Sequence, residues 1–239
     1  MTSVPAPAPS RLPRRLARLG FKLARPLYYR WLFDRSPRWA ARVRALELDF
    51  GCGDSPQPRD TWEEQYREHG WDFLRQGDEQ ARYALVACAL WRHRPGGAVL
   101  DLGCGAGLLR DWLRPLGGGR YVGVDLSREA IVEARARALA GESFVVAAVE
   151  DYAPAESFDA VVFNESLYYL DDPIAGARRT IAWLTPGGIL LVSMFDTPRA
   201  AAIARGLDRR LALRTRWRLS QRRGGWTISV YQPAGQPPG

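Results

Sequence analysis

Lysine occurs once in these 239 residues, at Lys22, and histidine twice, at His69 and His93. Cysteine is also sparse, with Cys52, Cys88 and Cys104 scattered along the chain. Neither a disulfide framework nor a metal cluster can be read from so few ligands, and no metal is expected. Long apolar runs are missing too. Ile189 to Phe195 is among the longest and reads as a buried strand, far short of a membrane span. Met1 to Ser10 is rich in proline and alanine, with arginines following and no apolar core, so no signal peptide is read. The expectation is a cytoplasmic protein, with peripheral contact at the inner face of a membrane left open.

Acidic residues are nearly absent from one stretch. Residues 1–46 hold eleven Lys and Arg against a single acid, Asp34, a formal +10. The other 193 residues hold 23 basic and 25 acidic groups, so the basic character belongs to the extension. All but one of the 34 basic residues are arginine, which points to a GC-rich genome more than to a phosphate-binding design. Within the extension Leu12, Leu16, Leu19, Leu23 and Leu27 recur at helical spacing, with Arg14, Arg15, Arg18, Lys22 and Arg25 on other faces. Pro13 suits an early helical position and Pro26 is expected to end or kink the helix. Aromatics from Tyr28 to Phe33 follow, then a basic segment, Arg35 to Arg44. Two readings of the leucines stand: a helix docked on the body, or an interfacial helix at anionic headgroups. RNA binding has no recognisable module behind it, and no nucleic acid is expected.

The expected organisation is a disordered 1–10, a basic amphipathic helical extension over 11–49, a linker at 50–60, one α/β domain over 61–232 and a disordered tail, 233–239. Residues 61–77 open the domain with a lid-like run of aromatics. Asp78 is read as the N-cap of the helix carrying Tyr83, Val86, Ala87 and Leu90.

The densest information lies in Val99-Leu100-Asp101-Leu102-Gly103-Cys104-Gly105-Ala106-Gly107. A short apolar strand enters a glycine-rich turn, and Leu108, Leu109, Trp112 and Leu113 continue at helical spacing, which is a βα unit of a nucleotide-type fold. The third glycine of a dinucleotide fingerprint would stand where Leu108 is, so a pyrophosphate is not indicated. Asp101 would repel an anion and attract an ammonium group. Tyr121 to Asp125 reads as a second strand ending in an acid able to hold both hydroxyls of a ribose. Ser127 is read as the next N-cap, ahead of Ala130, Ile131 and Ala134. Phe144 to Ala148 is the third expected strand and Phe158 to Phe163 the fourth, left by Asn164-Glu165-Ser166-Leu167-Tyr168-Tyr169-Leu170. A turn at Leu184 to Gly188 should lead into a fifth strand. Leu211 to Leu219 and Trp226 to Val230 then alternate as a terminal hairpin around Gly224-Gly225.

In this order the motifs over residues 78–232 resemble the class I S-adenosylmethionine (SAM)-dependent methyltransferases of the small-molecule-modifying type. That resemblance implies a doubly wound, mostly parallel seven-stranded α/β sheet with a C-terminal antiparallel hairpin, preceded by the helical extension. It implies S-adenosyl-L-methionine as cofactor, held by Asp101, Gly103, Cys104, Gly105, Gly107, Asp125, Leu126, Glu150, Asp151 and Asn164. Glu150 and Asp151 enter because Ala148 occupies the place where the family often has an adenine-binding Asp. It also makes Trp62, Tyr66, His69 and Trp71 candidates for a lid or acceptor wall.

For catalysis the candidates are His69, whose pKa lies nearest neutrality, Glu165 and Tyr168. His93, at a helix end, reads as structural. The implied reaction is methyl transfer to an N or O atom of a small-molecule acceptor. A lipid-like or isoprenoid acceptor at a membrane surface is the alternative, and a non-catalytic SAM-binding partner or sensor the second alternative. Oligomeric state is left open.

Overall fold

The computed structural model describes residues 14–31, 43, 46, 54–221 and 224–233. The expectations for Met1 to Ser10, Leu12, Pro13, most of the Arg35 to Arg44 segment, Phe50 to Gly53 and residues 234–239 lie outside these. The described chain runs α1 (Arg14–Trp31), α2 (Arg59–Arg67), α3 (Gly77–His93), β1 (Val99–Leu102), α4 (Leu108–Leu113), β2 (Tyr121–Asp125), α5 (Arg128–Ala136), β3 (Glu142–Val146) and β4 (Phe158–Asn164). It continues with α6 (Pro173–Thr180), β5 (Leu184–Phe195), α7 (Pro198–Asp208), β6 (Ala212–Gln221) and β7 (Gly224–Gln232). No helix among the described residues is long and apolar enough to cross a membrane.

One sheet of order β3-β2-β1-β4-β5-β7-β6 carries the fold. Strands β1 to β5 pair in parallel, and β7 is antiparallel to both β5 and β6. Every residue of β1 is buried, which matches a central parallel strand covered on both faces. On one face Tyr83, Val86 and Leu90 of α3, Leu109 of α4 and Ile131 of α5 pack with Val99, Val162 and Leu191. On the other, Ile174 of α6 and Ile203 and Leu207 of α7 pack with Leu100, Val161 and Leu190. The order of the parallel strands reverses between β1 and β4, so a crevice opens at their carboxyl ends, where such sheets bind ligands.

Several expected boundaries move, each for a local reason. Strand β3 begins at Glu142 rather than Phe144, in register with Tyr121. The Glu142 carboxylate is held by Arg110 and Arg114 at 2.7 Å, with Arg114 chiefly drawing its pKa down to about 2, so an acid can start this edge strand. Ala147 and Ala148 thereby leave the sheet. Pro186 to Gly188 do not form a separate turn before β5; the strand starts at Leu184, and an irregularity between Phe158 and Ala160 absorbs the extra residues as a bulge. Asp78 is not the N-cap of α3, because the helix begins at Gly77 with Gln76 in the cap position. Ser127 does cap α5, its Oγ accepting from the Ala130 N–H. Helix α1 does not end at Pro26 but continues to Trp31.

Candidate active site

Above the crevice lies a cavity of about 1180 Å³. That exceeds the ~300–1,000 Å³ usual for ligand pockets, with room for two ligands. Nine carboxyl side chains and two guanidinium groups line it, without a lysine or a histidine. Such a lining selects against a pyrophosphate and favours a cation.

The floor is the turn after β1. Gly103 and Gly105 both have positive φ, +76° and +52°. A β-carbon on Gly103 would collide with the Ser166 side chain, and one on Gly105 with the Tyr66 hydroxyl. Asp101 stands at the strand end. Tyr121 Oη donates to its Oδ2 at 2.5 Å, while Oδ1 is buried without a hydrogen-bond partner. Burial raises the Asp101 carboxyl to about 7, against the pull of Tyr121 and Arg82. An unmatched buried carboxyl oxygen is costly unless a donor arrives.

Asp125 ends β2. Its Oδ2 accepts from the Gly105 N–H at 2.8 Å and its Oδ1 from the Ser127 N–H at 2.9 Å, which fixes the carboxylate and leaves lone pairs on both oxygens. Burial raises its pKa, opposed by these bonds. Leu126, Ala148, Val149 and Glu150 form the wall beyond it. Cys104 lines the floor, its thiol pushed far up by burial and so held neutral. Three expected residues fall elsewhere. Asp151 is exposed and outside the wall. Gly107 stands behind the turn as the cap of α4, against the Phe144 ring. His69 has a side chain 79% exposed, paired with Asp72 on the outer surface.

Arg82 was not singled out by the sequence reading. Its side chain is only 1% exposed, stacks on Tyr83 and lines the cavity. Glu79 accepts from its Nε and Nη2 at 2.9 and 2.7 Å, and Asn164 Oδ1 accepts from Nη1. The available signal was an arginine one and two helical repeats from the buried Val86 and Leu90. At the end of β4, Glu165 adopts φ +63°. Its Oε1 accepts from Ser193 Oγ at 3.1 Å, and its Oε2 from Tyr168 Oη at 2.8 Å and the Phe195 N–H at 3.0 Å. Burial raises its pKa against Arg82 and these bonds. Glu165, Tyr168 and Tyr169 all line the cavity.

The roof is α2 and the turn after it. Trp62 stacks on Trp71 with centroids 5.8 Å apart and meets Tyr169 edge-on at 4.7 Å, so the roof spans the cavity to the β4 exit. On the opposite side Glu63 binds the start of α5. Phe195 at the end of β5, with Gln221, Gly224 and Trp226 of the hairpin, completes the far end, an aromatic contribution that no local sequence motif marks.

A doubly wound sheet with a glycine turn, two strand-end acids and an acidic cavity defines a nucleoside-binding α/β domain of the methyltransferase type. A methyltransferase-domain family model matches residues 11–234, and the chain belongs to that family, whose methyl donor is S-adenosylmethionine. Among relatives, a ubiquinone biosynthesis O-methyltransferase of Xanthomonas campestris pv. campestris is 40% identical over 116 residues, 46% of this chain and 48% of that protein. The corresponding protein of Xanthomonas axonopodis pv. citri is 41% identical over 120 residues, 47% of this chain and 50% of it. The chain thus spans about half the length of the relatives it matches. Of solved structures, the N-methyltransferase NodS of Bradyrhizobium japonicum WM9 with S-adenosyl-l-homocysteine superposes with TM-score 0.61 at 22% identity, over 69% of this chain and 91% of that one. The 1,6-didemethyltoxoflavin-N1-methyltransferase of Burkholderia thailandensis gives 0.60 at 19%, over 73% and 86%. Both share the fold.

Proposed function

We propose that this chain is a SAM-dependent methyltransferase acting on an O or N atom of a small-molecule acceptor. The observation that carries the reading is the unpartnered, buried Asp101 Oδ1 beside the glycine turn. The residues present fit the cofactor: Asp101 for its ammonium group, Arg82 for its carboxylate, Asp125 for the ribose hydroxyls, and Leu126 with Glu150 for the base. When bound, S-adenosylmethionine supplies a methyl carbon activated by a sulfonium leaving group.

What the chain supplies is alignment, exclusion of water and charge. The roof of Trp62, Tyr66 and Trp71 covers the glycine turn and shields the reacting atoms. Glu165, fixed by three hydrogen bonds, holds the Tyr168 hydroxyl at the wall, and its carboxylate favours positive charge developing on a neutral nucleophile. We assign Glu165 and Tyr168 to positioning, with Asn164 held by Arg82 in the same wall. No histidine lines the cavity, and we assign His69 no part in the chemistry. Trp62, Trp71, Tyr169 and Trp226 favour a flat, aromatic acceptor, in keeping with the O-methyltransferase names of the relatives.

Titration calorimetry with S-adenosylhomocysteine, followed by transfer of label from methyl-labelled SAM into a metabolite extract, tests the proposal. Micromolar binding with a labelled product supports it. Binding without any product supports the sensor reading instead, and absence of binding overturns both.

A further inference from the structure

Helix α1 is docked on the body by one face and shows leucines on the other. Tyr28 and Tyr29 are buried with Val43 and Ala202 of α7, and Phe21 packs beside them. Arg25 pairs with Asp54. Around the helix, Leu19, Leu23 and Leu27 lie about half a turn from that face. They are 55, 70 and 61% exposed. Three leucines in a row at i, i+4 and i+8 form a continuous apolar stripe, unlike the scattered single leucines of an ordinary surface. Leu12 and Leu16 extend the same spacing in the sequence.

The docked face is tied to the cavity. Asp54, the partner of Arg25, is part of its wall. The Tyr29 hydroxyl accepts from Arg199 Nη1 at 2.9 Å, and Arg199 Nε donates to the Tyr168 carbonyl at 3.0 Å. Arg205 adds a bond to the Tyr29 carbonyl at 2.7 Å. Helix α1 is therefore fixed beside the loop that walls the acceptor end.

We propose that α1 is an interfacial helix that seats its leucine face in an anionic bilayer and so brings the acceptor end of the cavity to the membrane surface. Charge complementarity selects the occupant. The leucines stand within a segment of formal charge +10, whereas the rest of the chain is close to neutral. A second copy of this chain would bring two such segments together and set like charges against each other. An anionic surface instead receives the leucines and the cations at once, the two terms that set interfacial affinity. The statement that an acceptor is delivered this way rests on the methyltransferase reading; the binding itself does not.

The test uses the full chain and the variant L19Q/L23Q/L27Q, which alters exposed side chains and should keep its melting temperature and its affinity for S-adenosylhomocysteine. Co-sedimentation is measured with phosphatidylglycerol/phosphatidylcholine vesicles, with pure phosphatidylcholine vesicles and at raised salt. Expected are binding to the anionic vesicles, weakening in salt, and a loss of roughly tenfold or more in the variant. Equal binding by the variant overturns the proposal, and so does absence of binding by the wild type. A leucine-dependent change of mass in light scattering without vesicle binding would assign the stripe to a second copy and overturn it as well. Because S-adenosylhomocysteine affinity is read on the same samples, failure of the membrane proposal and failure of the methyltransferase reading are told apart.

Discussion

Glu63 Oε2 accepts a hydrogen bond from Ser127 Oγ at 2.8 Å, joining the roof of the cavity to the helix that follows Asp125. The same carboxylate accepts from the backbone N–H groups of Arg128 at 2.9 Å and Glu129 at 3.2 Å, so a side chain distant in sequence caps α5. Arg67–Glu129 and Arg75–Glu133 join the same surfaces, but both pairs are solvent-exposed and contribute little. A cap contributes about 1 kcal/mol, so Glu63 is the dominant latch.

Removing that latch should loosen the roof. For E63A we expect a melting temperature lower by about 2–4 °C and S-adenosylhomocysteine binding several-fold weaker, mainly through faster dissociation. Burial opposes ionisation of Glu63, but the bonds from Arg128, Glu129 and Ser127 lower its pKa. Its stabilisation is therefore complete above the ordinary carboxylate range and is lost as pH falls through the lowered value. Melting curves of wild type and E63A should differ by a constant amount from pH 6 to 8 and converge in acid. A difference that instead changed between pH 6 and 8 would assign the latch to another group.

Asp101 is the carboxyl of the cavity floor that burial moves furthest toward neutrality. Burial raises its pKa to about 7. Between the unfolded value near 4 and this folded value the native state binds the extra proton, so the carboxyl lowers stability as pH rises through that window. D101N should melt higher than wild type at pH 8 without ligand. It should also bind SAM roughly ten- to a hundredfold more weakly, the range for losing a hydrogen bond between charged groups. In wild type, affinity for SAM should fall as pH drops below 7, and in D101N that dependence should be flat. A wild-type affinity independent of pH would remove Asp101 from the ammonium site.

Arg82 tests the proposed carboxylate end of the cofactor site. R82K keeps a charge but loses the fork that reaches Glu79 and Asn164 together. We expect weaker SAM binding by roughly tenfold or more, with a folded protein by circular dichroism. Unchanged SAM affinity in R82K would make the arginine purely structural.

The contrast between Arg82 and Asp101 shows what the sequence can reveal. Asp101, Gly103, Gly105 and Asp125 sit at strand ends whose period and spacing are local, and the sheet order follows from the chain of βα units. Arg82 and Trp226 reach the cavity, and Glu63 ties its roof to α5, from elements distant in sequence, so no local pattern marks them. His69 misled because proximity in the sequence to Trp62, Tyr66 and Trp71 says nothing about direction. It follows the last turn of α2 with φ +58°, a backbone reversal that turns its ring away from them. H69A should accordingly leave turnover within about twofold of wild type, well short of the ~10²-fold that loss of a general base would produce.

Glu165 decides between positioning and base catalysis. All three of its hydrogen bonds are received from fixed groups, Ser193, Tyr168 and the Phe195 N–H, and its left-handed backbone holds it at the β4 exit. A carboxylate so fully engaged is poorly placed to take a proton from an acceptor, yet well placed to orient the Tyr168 hydroxyl. E165Q retains the shape but places an amide against at least one of these donors. With the acceptor identified by labelled transfer, we expect E165Q to lower kcat by less than about tenfold and to leave the shape of the pH profile intact. Y168F should reproduce much of that loss, since it removes the hydroxyl that Glu165 orients. A loss of about a hundredfold or more in E165Q, with the basic limb of the profile abolished while Y168F stayed active, would instead make Glu165 the base.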